Sequence, residues 1–236
     1  MTPPPLAGGG RGEGARWTDL RKRTGAALVL AVPWLVILWY GGIVFDVTIG
    51  AVTILLWAEW AQLCHRGGSG LLLVSGLAWI TLAAAALVAL RTDPSAGRAN
   101  VMFVVLLVWA TDIGAYAAGR ALGGPKLAPR ISPGKTWSGA AGGLLAAVVA
   151  GILVAAAQGP APRLPAAAAV AAFLSIIGQA GDLLESLAKR HFGVKDSGHL
   201  IPGHGGALDR LDATLAVLPV AWLLAHLAGH GVVMWR

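Results

Sequence analysis

Long, unbroken apolar runs dominate this sequence. Seven of them approach the roughly 20 residues that an α-helix needs to cross a bilayer: 26–44, 46–64, 71–90, 99–118, 139–157, 166–188 and 213–235. A transmembrane β-barrel would instead alternate apolar and polar residues in segments of about ten. Only 12% of the residues are charged, against about a quarter in a soluble domain. The sequence therefore predicts an all-α, polytopic integral membrane helix bundle of about seven transmembrane helices.

Lysine and arginine are distributed unequally between the two ends of these runs. Fourteen of the 18 lie in the N-terminal segment or in the loops around 65–70, 119–138 and 189–212. Because cytoplasmic loops carry the excess of positive charge, we predict that this end, with the N-terminus, is cytoplasmic. The net charge of +7 then indicates membrane orientation and anionic ligands, and no nucleic acid partner is expected.

Residues 1–25 differ from the rest of the chain. They contain Pro3–Pro5, Gly8–Gly10 and five basic residues, a composition that cannot bury enough apolar area to fold. We predict a disordered basic cytoplasmic tail over 1–25 and a single transmembrane domain over 26–236.

Several polar side chains lie inside the apolar runs. Asp112 is near the cytoplasmic end of run four, where an unpaired carboxylate would cost several kcal/mol. Run six places four polar residues on one helical face: Asp182, Glu185, Ser186 and Lys189. Such a face predicts a polar cavity, and the structural alternative is an ion-pair network between helices. Glu59, near the end of run two, suits either a snorkelling or capping role or a site role.

The most specific stretch follows run six. It combines cations, carboxylates and a glycine-rich turn: Lys189, Arg190, Lys195, Asp196, His204, Gly205, Gly206, Asp209, Arg210 and Asp212. Asp209 and Asp212, three residues apart, can face one way and bind a divalent cation, and carboxylate oxygens suit Mg²⁺. Glycine N–H groups and cations suit phosphate oxygens. We predict phosphate and metal chemistry here, with His204 as a candidate ligand contact.

A second basic loop lies on the same side. It offers Ser132, Lys135 and Thr136 to a phosphate, although it is not a P-loop because Pro129 stands where that motif needs glycine. The GxxxG pair after it, Gly139 and Gly143, predicts helix packing. The predicted site is thus built from about 109–138 and 178–212.

Together these motifs resemble those of the phosphatidate cytidylyltransferase (CDP-diacylglycerol synthase) family. The resemblance rests on Ser186-x-x-Lys189-Arg190-x4-Lys195-Asp196 through His204-Gly205-Gly206-x-x-Asp209-Arg210-x-Asp212, on Trp109-x-x-Asp112-x-Gly114-Ala115-Tyr116, and on Ser132-Pro133-x-Lys135-Thr136-Trp137. It covers roughly residues 100–215. Ser138 departs from it, because the family usually has glutamate at that position.

The resemblance implies that the chain transfers the cytidylyl group of CTP to phosphatidic acid, giving CDP-diacylglycerol and pyrophosphate in phospholipid biosynthesis. Residues 26–236 would then be one catalytic domain. The expected cofactor is Mg²⁺, as two divalent ions or one divalent and one monovalent ion. The expected partners are CTP, phosphatidic acid and membrane lipids, and the small-residue helices allow a homodimer. The expected location is the plasma (inner) membrane, multi-pass, with the active site on the cytoplasmic side.

The motifs and the resemblance together assign candidate roles. The predicted catalytic residues are Asp182, Lys189, Asp196, Asp209 and Asp212, and the predicted metal ligands among them are Asp182, Asp209 and Asp212. The predicted substrate-binding residues are Ser132, Lys135, Thr136, Ser186, Arg190, Lys195, His204, Gly205, Gly206, Arg210 and Asp112.

Two other functions remain open from the sequence. Another CTP-dependent lipid enzyme, such as a polyprenol or phytol kinase or a CDP-archaeol synthase, would use similar chemistry on a different lipid. A transporter would also use intramembrane carboxylates, but it should show inverted repeats and helices broken near the midplane. Here the polar residues crowd one face and no repeat is evident.

Overall fold

The computed structural model describes residues 32–158, 163–198, 206–229 and 233–235. The predicted tail over 1–25 and the site candidates His204 and Gly205 lie outside these residues. The helices are α1 (32–40), α2 (Gly42–Cys64), α3 (Gly70–Thr92), α4 (Gly97–Leu122), α5 (Trp137–Ala157), α6 (Leu164–His191) and α7 (Leu208–Ala228). An antiparallel hairpin of β1 (Lys126–Ala128) and β2 (Ser132–Thr136) joins α4 to α5.

The described part of the chain confirms an all-α membrane bundle, with the short hairpin as an unpredicted addition. Six helices, α2 to α7, are long and apolar enough to cross a membrane, where the sequence predicts about seven. The difference lies in the first run, of which residues 32–44 are described: nine of them form α1, and the last three already belong to α2. α7 begins at Leu208, five residues before its predicted run, so Asp209 and Asp212 belong to a helix.

Local sequence explains the helix ends nearest the site. Gly41, with φ 70°, separates α1 from α2, in a backbone region that favours glycine. Gly123, with φ 61°, ends α4 in the same way. Thr136 begins α5 as its N-cap, because its Oγ1 accepts a hydrogen bond from the Gly139 N–H at 3.1 Å.

The close packing of α4 against α5 depends on small residues, as the GxxxG pair predicts. A Cβ added at Gly139 would lie 2.9 Å from the Ala115 carbonyl oxygen, and one at Gly143 would lie 2.8 Å from the Thr111 carbonyl oxygen. These helices can approach so closely only because neither position carries a side chain. The packing role predicted for the pair is confirmed.

We expect Gly143→Ala to destabilise the protein by about 1–3 kcal/mol, because the new methyl group overpacks the α4–α5 contact. Gly50→Ala in α2 is the matched control, since a Cβ there meets no atom within 4 Å, and alanine is the better helix former. Thermal unfolding in detergent measures both. A melting temperature of Gly143→Ala at or above that of Gly50→Ala would contradict the packing argument.

The chain segments predicted to be cytoplasmic gather at one end of the bundle, here called the loop end: residues 65–69, 123–136, 192–198 and 206–207. Arg190 Nε at the end of α6 donates to the Ile131 carbonyl oxygen of the hairpin at 3.2 Å. At the opposite end, Arg91 donates to the carbonyl oxygens of Leu38 and Trp39, each at 2.6 Å. Most of the polar site candidates therefore lie near the loop end.

Candidate active site

A cavity of about 460 Å³ opens between α4, the hairpin, α5 and α6. Its polar lining includes Thr111, Asp112, Tyr116, Arg120, Lys135, Thr136, Gln179 and Asp182. Glycines 119, 134, 139 and 178 also line it, so little side-chain bulk fills the space. The cavity joins the first stretch from which the sequence predicts the site, around 109–138, to the beginning of the second, residues 178–182 of 178–212.

The hairpin positions Lys135 in this cavity. β1 and β2 pair through Lys126 with Thr136 and Ala128 with Ser132, and the Trp137 N–H donates to the Pro125 carbonyl oxygen at 3.1 Å to close the base. Lys135 Nζ then lies 2.5 Å from Asp182 Oδ2. This ion pair joins the hairpin to α6 across the cavity.

Thr136 and Ser138 support the hairpin. Thr136 is buried, and its hydroxyl caps α5 and lies 3.0 Å from Ser138 Oγ. Ser138 Oγ also donates to the Gly123 carbonyl oxygen. Ser138 thus ties the start of α5 to the end of α4.

Three carboxylates from three helices interact around Lys135. Asp112 of α4 and Asp212 of α7 each lie close enough to Asp182 of α6 for mutual repulsion, and Lys135 attracts both. Lys135 contacts one of these carboxylates, that of Asp182, and attracts the other two, while Arg120 lines the same cavity.

A second polar cluster joins α6 to α7. Lys189 Nζ contacts Glu185 Oε2 at 2.6 Å and Asp209 Oδ1 at 2.7 Å. Asp209 also accepts hydrogen bonds from the backbone N–H groups of Ser197 and Gly206, each at 3.0 Å. These side chains are only 10–14% exposed. The polar face of α6 is thus divided: Asp182 faces the cavity, whereas Lys189 binds both Glu185 and Asp209.

The other predicted site residues lie around these clusters. Ser186 Oγ is 3.5 Å from Asp182 Oδ1. Arg210 and Asp112 line a smaller cavity of about 150 Å³. Lys195 and Asp196 are exposed after α6, and Ser132 is half-buried in β2. The structure therefore brings Asp112, Lys135, Thr136 and Asp182 together and leaves Lys195 and Asp196 at the surface.

The three predicted metal ligands are not gathered at one point. Over the described ranges of the chain, no group of three or more His, Cys, Asp or Glu side chains is placed to hold a metal ion. Asp182 and Asp212 interact with each other and with Asp112, whereas Asp209 is bound by Lys189. The metal role of each residue stays a prediction.

Sequence reasoning gave no specific role to two residues near the site. Gln179 Nε2 donates to the Ala140 carbonyl oxygen at 3.3 Å and lines the cavity one helical turn before Asp182. That i, i+3 spacing could have identified it. Glu59 is buried and accepts hydrogen bonds from the Ala207 and Leu208 N–H groups. Of its open roles, the structure selects capping, although the capped helix is α7.

Comparison with known proteins agrees with the resemblance seen in the motifs. The sequence pattern of the cytidylyltransferase family matches residues 64–228. A phosphatidate cytidylyltransferase of Brucella suis is 39% identical over an alignment that covers 87% of this chain and 93% of that protein. The Pseudomonas aeruginosa enzyme of that name is 40% identical, over 90% of this chain and 73% of that protein. One from Bacillus subtilis is 47% identical over 56% of this chain and 49% of that protein. The chain belongs to the cytidylyltransferase family.

Proposed function

We propose that this chain is a nucleotidyltransferase that transfers the cytidylyl group of CTP to phosphatidic acid. A phosphate oxygen of the lipid attacks the α-phosphorus of CTP, the bond from that phosphorus to the β-phosphate oxygen breaks, and pyrophosphate leaves. CDP-diacylglycerol is the other product. Membership of the cytidylyltransferase family supports this reaction, as do relatives named phosphatidate cytidylyltransferase.

The reaction requires the protein to hold two anions, CTP and phosphatidic acid, close together and to neutralise the negative charge that develops on pyrophosphate. A phosphomonoester is already ionised near neutral pH, so the chain needs no strong general base. Lys135 in the cavity is the best-placed cation for a phosphate, and Arg120 lines the same space. Lys195, Arg190 and Arg210, at or near the loop end, supply further positive charge to an approaching nucleotide.

Two carboxylates, those of Asp112 and Asp182, line the cavity, and a divalent cation bound together with the substrate phosphates stays our proposal. The donor set of these carboxylates consists of oxygens only, and Mg²⁺ commonly uses one or two protein carboxylates together with substrate phosphates. Asp182, which lines the cavity, would hold it, and Asp212 of α7, which interacts with Asp182, would assist. When bound, the ion would act as a Lewis acid and template for the phosphates. Asp209, already bound by Lys189 and two backbone N–H groups, would position the first turn of α7.

The position of the site suits a lipid substrate. The cavity lies among helices long enough to cross a membrane, so acyl chains can stay in the bilayer while the headgroup enters from the side. We place the protein in the plasma membrane as a multi-pass protein, with α1 as a seventh crossing. The N-terminus and the loop end would both lie in the cytoplasm, where CTP is made. Homodimer formation stays a prediction that light scattering in detergent would check.

The observation that carries the proposal is the Lys135–Asp182 contact across the cavity. We expect Lys135→Met to lower kcat/KM for cytidylyl transfer by about a hundredfold, because a cation at the phosphate site is lost. The assay uses the full chain in detergent with labelled CTP, phosphatidic acid and Mg²⁺, and follows CDP-lipid and pyrophosphate.

Lys126→Met is the matched control, because Lys126 is an exposed lysine of the same hairpin and does not line the cavity. We expect it to retain activity. Equal losses in the two variants would contradict a specific role for Lys135. Wild-type protein that is folded but gives product only with another lipid phosphate or a polyprenol would refute phosphatidic acid as the substrate.

A further inference from the structure

A buried carboxylate of α2 caps the beginning of α7. Glu59 is 2% exposed, and its Oε1 and Oε2 accept hydrogen bonds from the N–H groups of Ala207 and Leu208, each at 2.9 Å. The first N–H groups of a helix have no partner within it, and Ala207 provides no side-chain cap. Glu59 satisfies two of them with an anion, which the helix dipole favours.

The backbone around Glu59 is shaped to enclose this carboxylate. Ser197 Oγ donates to Oε2 at 3.4 Å. A Cβ added at Gly198 would lie 2.9 Å from Oε1, and one at Gly206 would lie 2.9 Å from Oε2. Both glycines therefore allow the loop-end backbone to close around Glu59, and a larger residue at either position would push it away.

Glu59 and Asp209 hold the same two backbone segments. Ser197 donates its hydroxyl to Glu59 and its N–H to Asp209. Gly206 donates its N–H to Asp209, and the next two N–H groups go to Glu59. Asp209 in turn contacts Lys189 of α6. The first turn of α7 is thus fixed relative to α2 and α6 by two carboxylates acting together.

We propose that Glu59 is a positioning residue for the cytidylyl transfer proposed above. It acts through the start of α7, so that Asp209, Arg210 and Asp212 are held in place. The expected effect on KM for CTP rests on the proposed function. The expected effect on the start of α7 rests on geometry alone. The N–H groups of Ala207 and Leu208 each need an acceptor oxygen, and glutamate provides two. Glutamine at position 59 would provide one oxygen and would direct its NH₂ group at the other N–H donor.

The test compares Glu59→Gln with wild type and with Thr48→Ala. Thr48 is a control on the same helix, and its hydroxyl donates to the Val44 carbonyl oxygen one turn earlier in that helix. Hydrogen exchange measured by mass spectrometry follows peptides that contain residues 206–208. We expect their exchange in Glu59→Gln to be about tenfold faster, because a charge-assisted hydrogen bond is lost. Peptides of α4 and α5 should keep their wild-type rates.

Kinetics distinguish positioning from loss of folded protein. A merely structural defect lowers the amount of active enzyme and leaves KM for CTP unchanged. A misplaced α7 should instead raise KM for CTP about fivefold or more, which corresponds to roughly 1 kcal/mol of lost binding. Thr48→Ala should match wild type in both measurements.

Folded Glu59→Gln with wild-type exchange at 206–208 and wild-type KM for CTP would overturn the proposal. If Glu59→Gln does not fold, Ser197→Ala replaces it, because it removes only the hydroxyl contact with Oε2. Unchanged exchange and KM in Ser197→Ala would then overturn it as well. Absence of cytidylyl transfer by wild type would refute the proposed function, while the exchange result would still decide whether Glu59 holds α7.

Discussion

Asp182→Asn is expected to lower kcat for cytidylyl transfer by about a thousandfold and to leave the protein folded. Asparagine keeps the shape of the side chain but removes the charge that contacts Lys135 at 2.5 Å. The same substitution relieves repulsion with Asp112 and Asp212. The melting temperature should therefore stay at or above the wild-type value. Functional sites often contain repulsive charges that lower the stability of the protein.

The measurements are product formation from labelled CTP and thermal unfolding in detergent. Asp46→Asn is the control, since Asp46 is an exposed aspartate of α2 beside Arg91 at the opposite end of the bundle, and both quantities should match wild type. A lower melting temperature with retained activity in Asp182→Asn would mean that the carboxylate serves only the helix contacts. That result would restore the ion-pair network as the better explanation.

Lys189→Met is expected to cost about 3 kcal/mol of stability, because it leaves two nearly buried carboxylates without their cation. Lys189 is 14% exposed and lies between Glu185 and Asp209, at 2.6 and 2.7 Å. Methionine keeps the length of the side chain, so the loss is mainly electrostatic. Activity should fall as well, since Asp209 positions the first turn of α7.

A second substitution tests the electrostatic cause. Combining Glu185→Gln with Lys189→Met removes one of the two carboxylate charges that lack their cation. We expect the melting temperature of this double variant to be higher than that of Lys189→Met alone. Lys195→Met, at an exposed lysine of the same loop end, should leave the melting temperature unchanged. A double variant that is less stable than Lys189→Met alone would show that packing, and not charge, explains the defect.

The membrane bundle could be predicted from the sequence because its cause is local. Each apolar run must satisfy its backbone hydrogen bonds within one helix, so run length and composition were enough to locate α2 to α6 within a few residues. The start of α7 was missed because it depends on Glu59, about 150 residues earlier in the chain. The hairpin was missed because its strands are three and five residues long, too short for a periodic pattern.

The sequence by itself determined the fold class, the residue types of the site and the two stretches that supply it, because spacing on a helix and composition are properties of neighbouring residues. Only the tertiary structure decided how these residues are paired. Asp209 and Asp212 are three apart, yet one binds Lys189 and the other interacts with Asp182. Which carboxylate meets which cation depends on the packing of α2, α4, α6 and α7, and residues distant in sequence meet only when those helices pack.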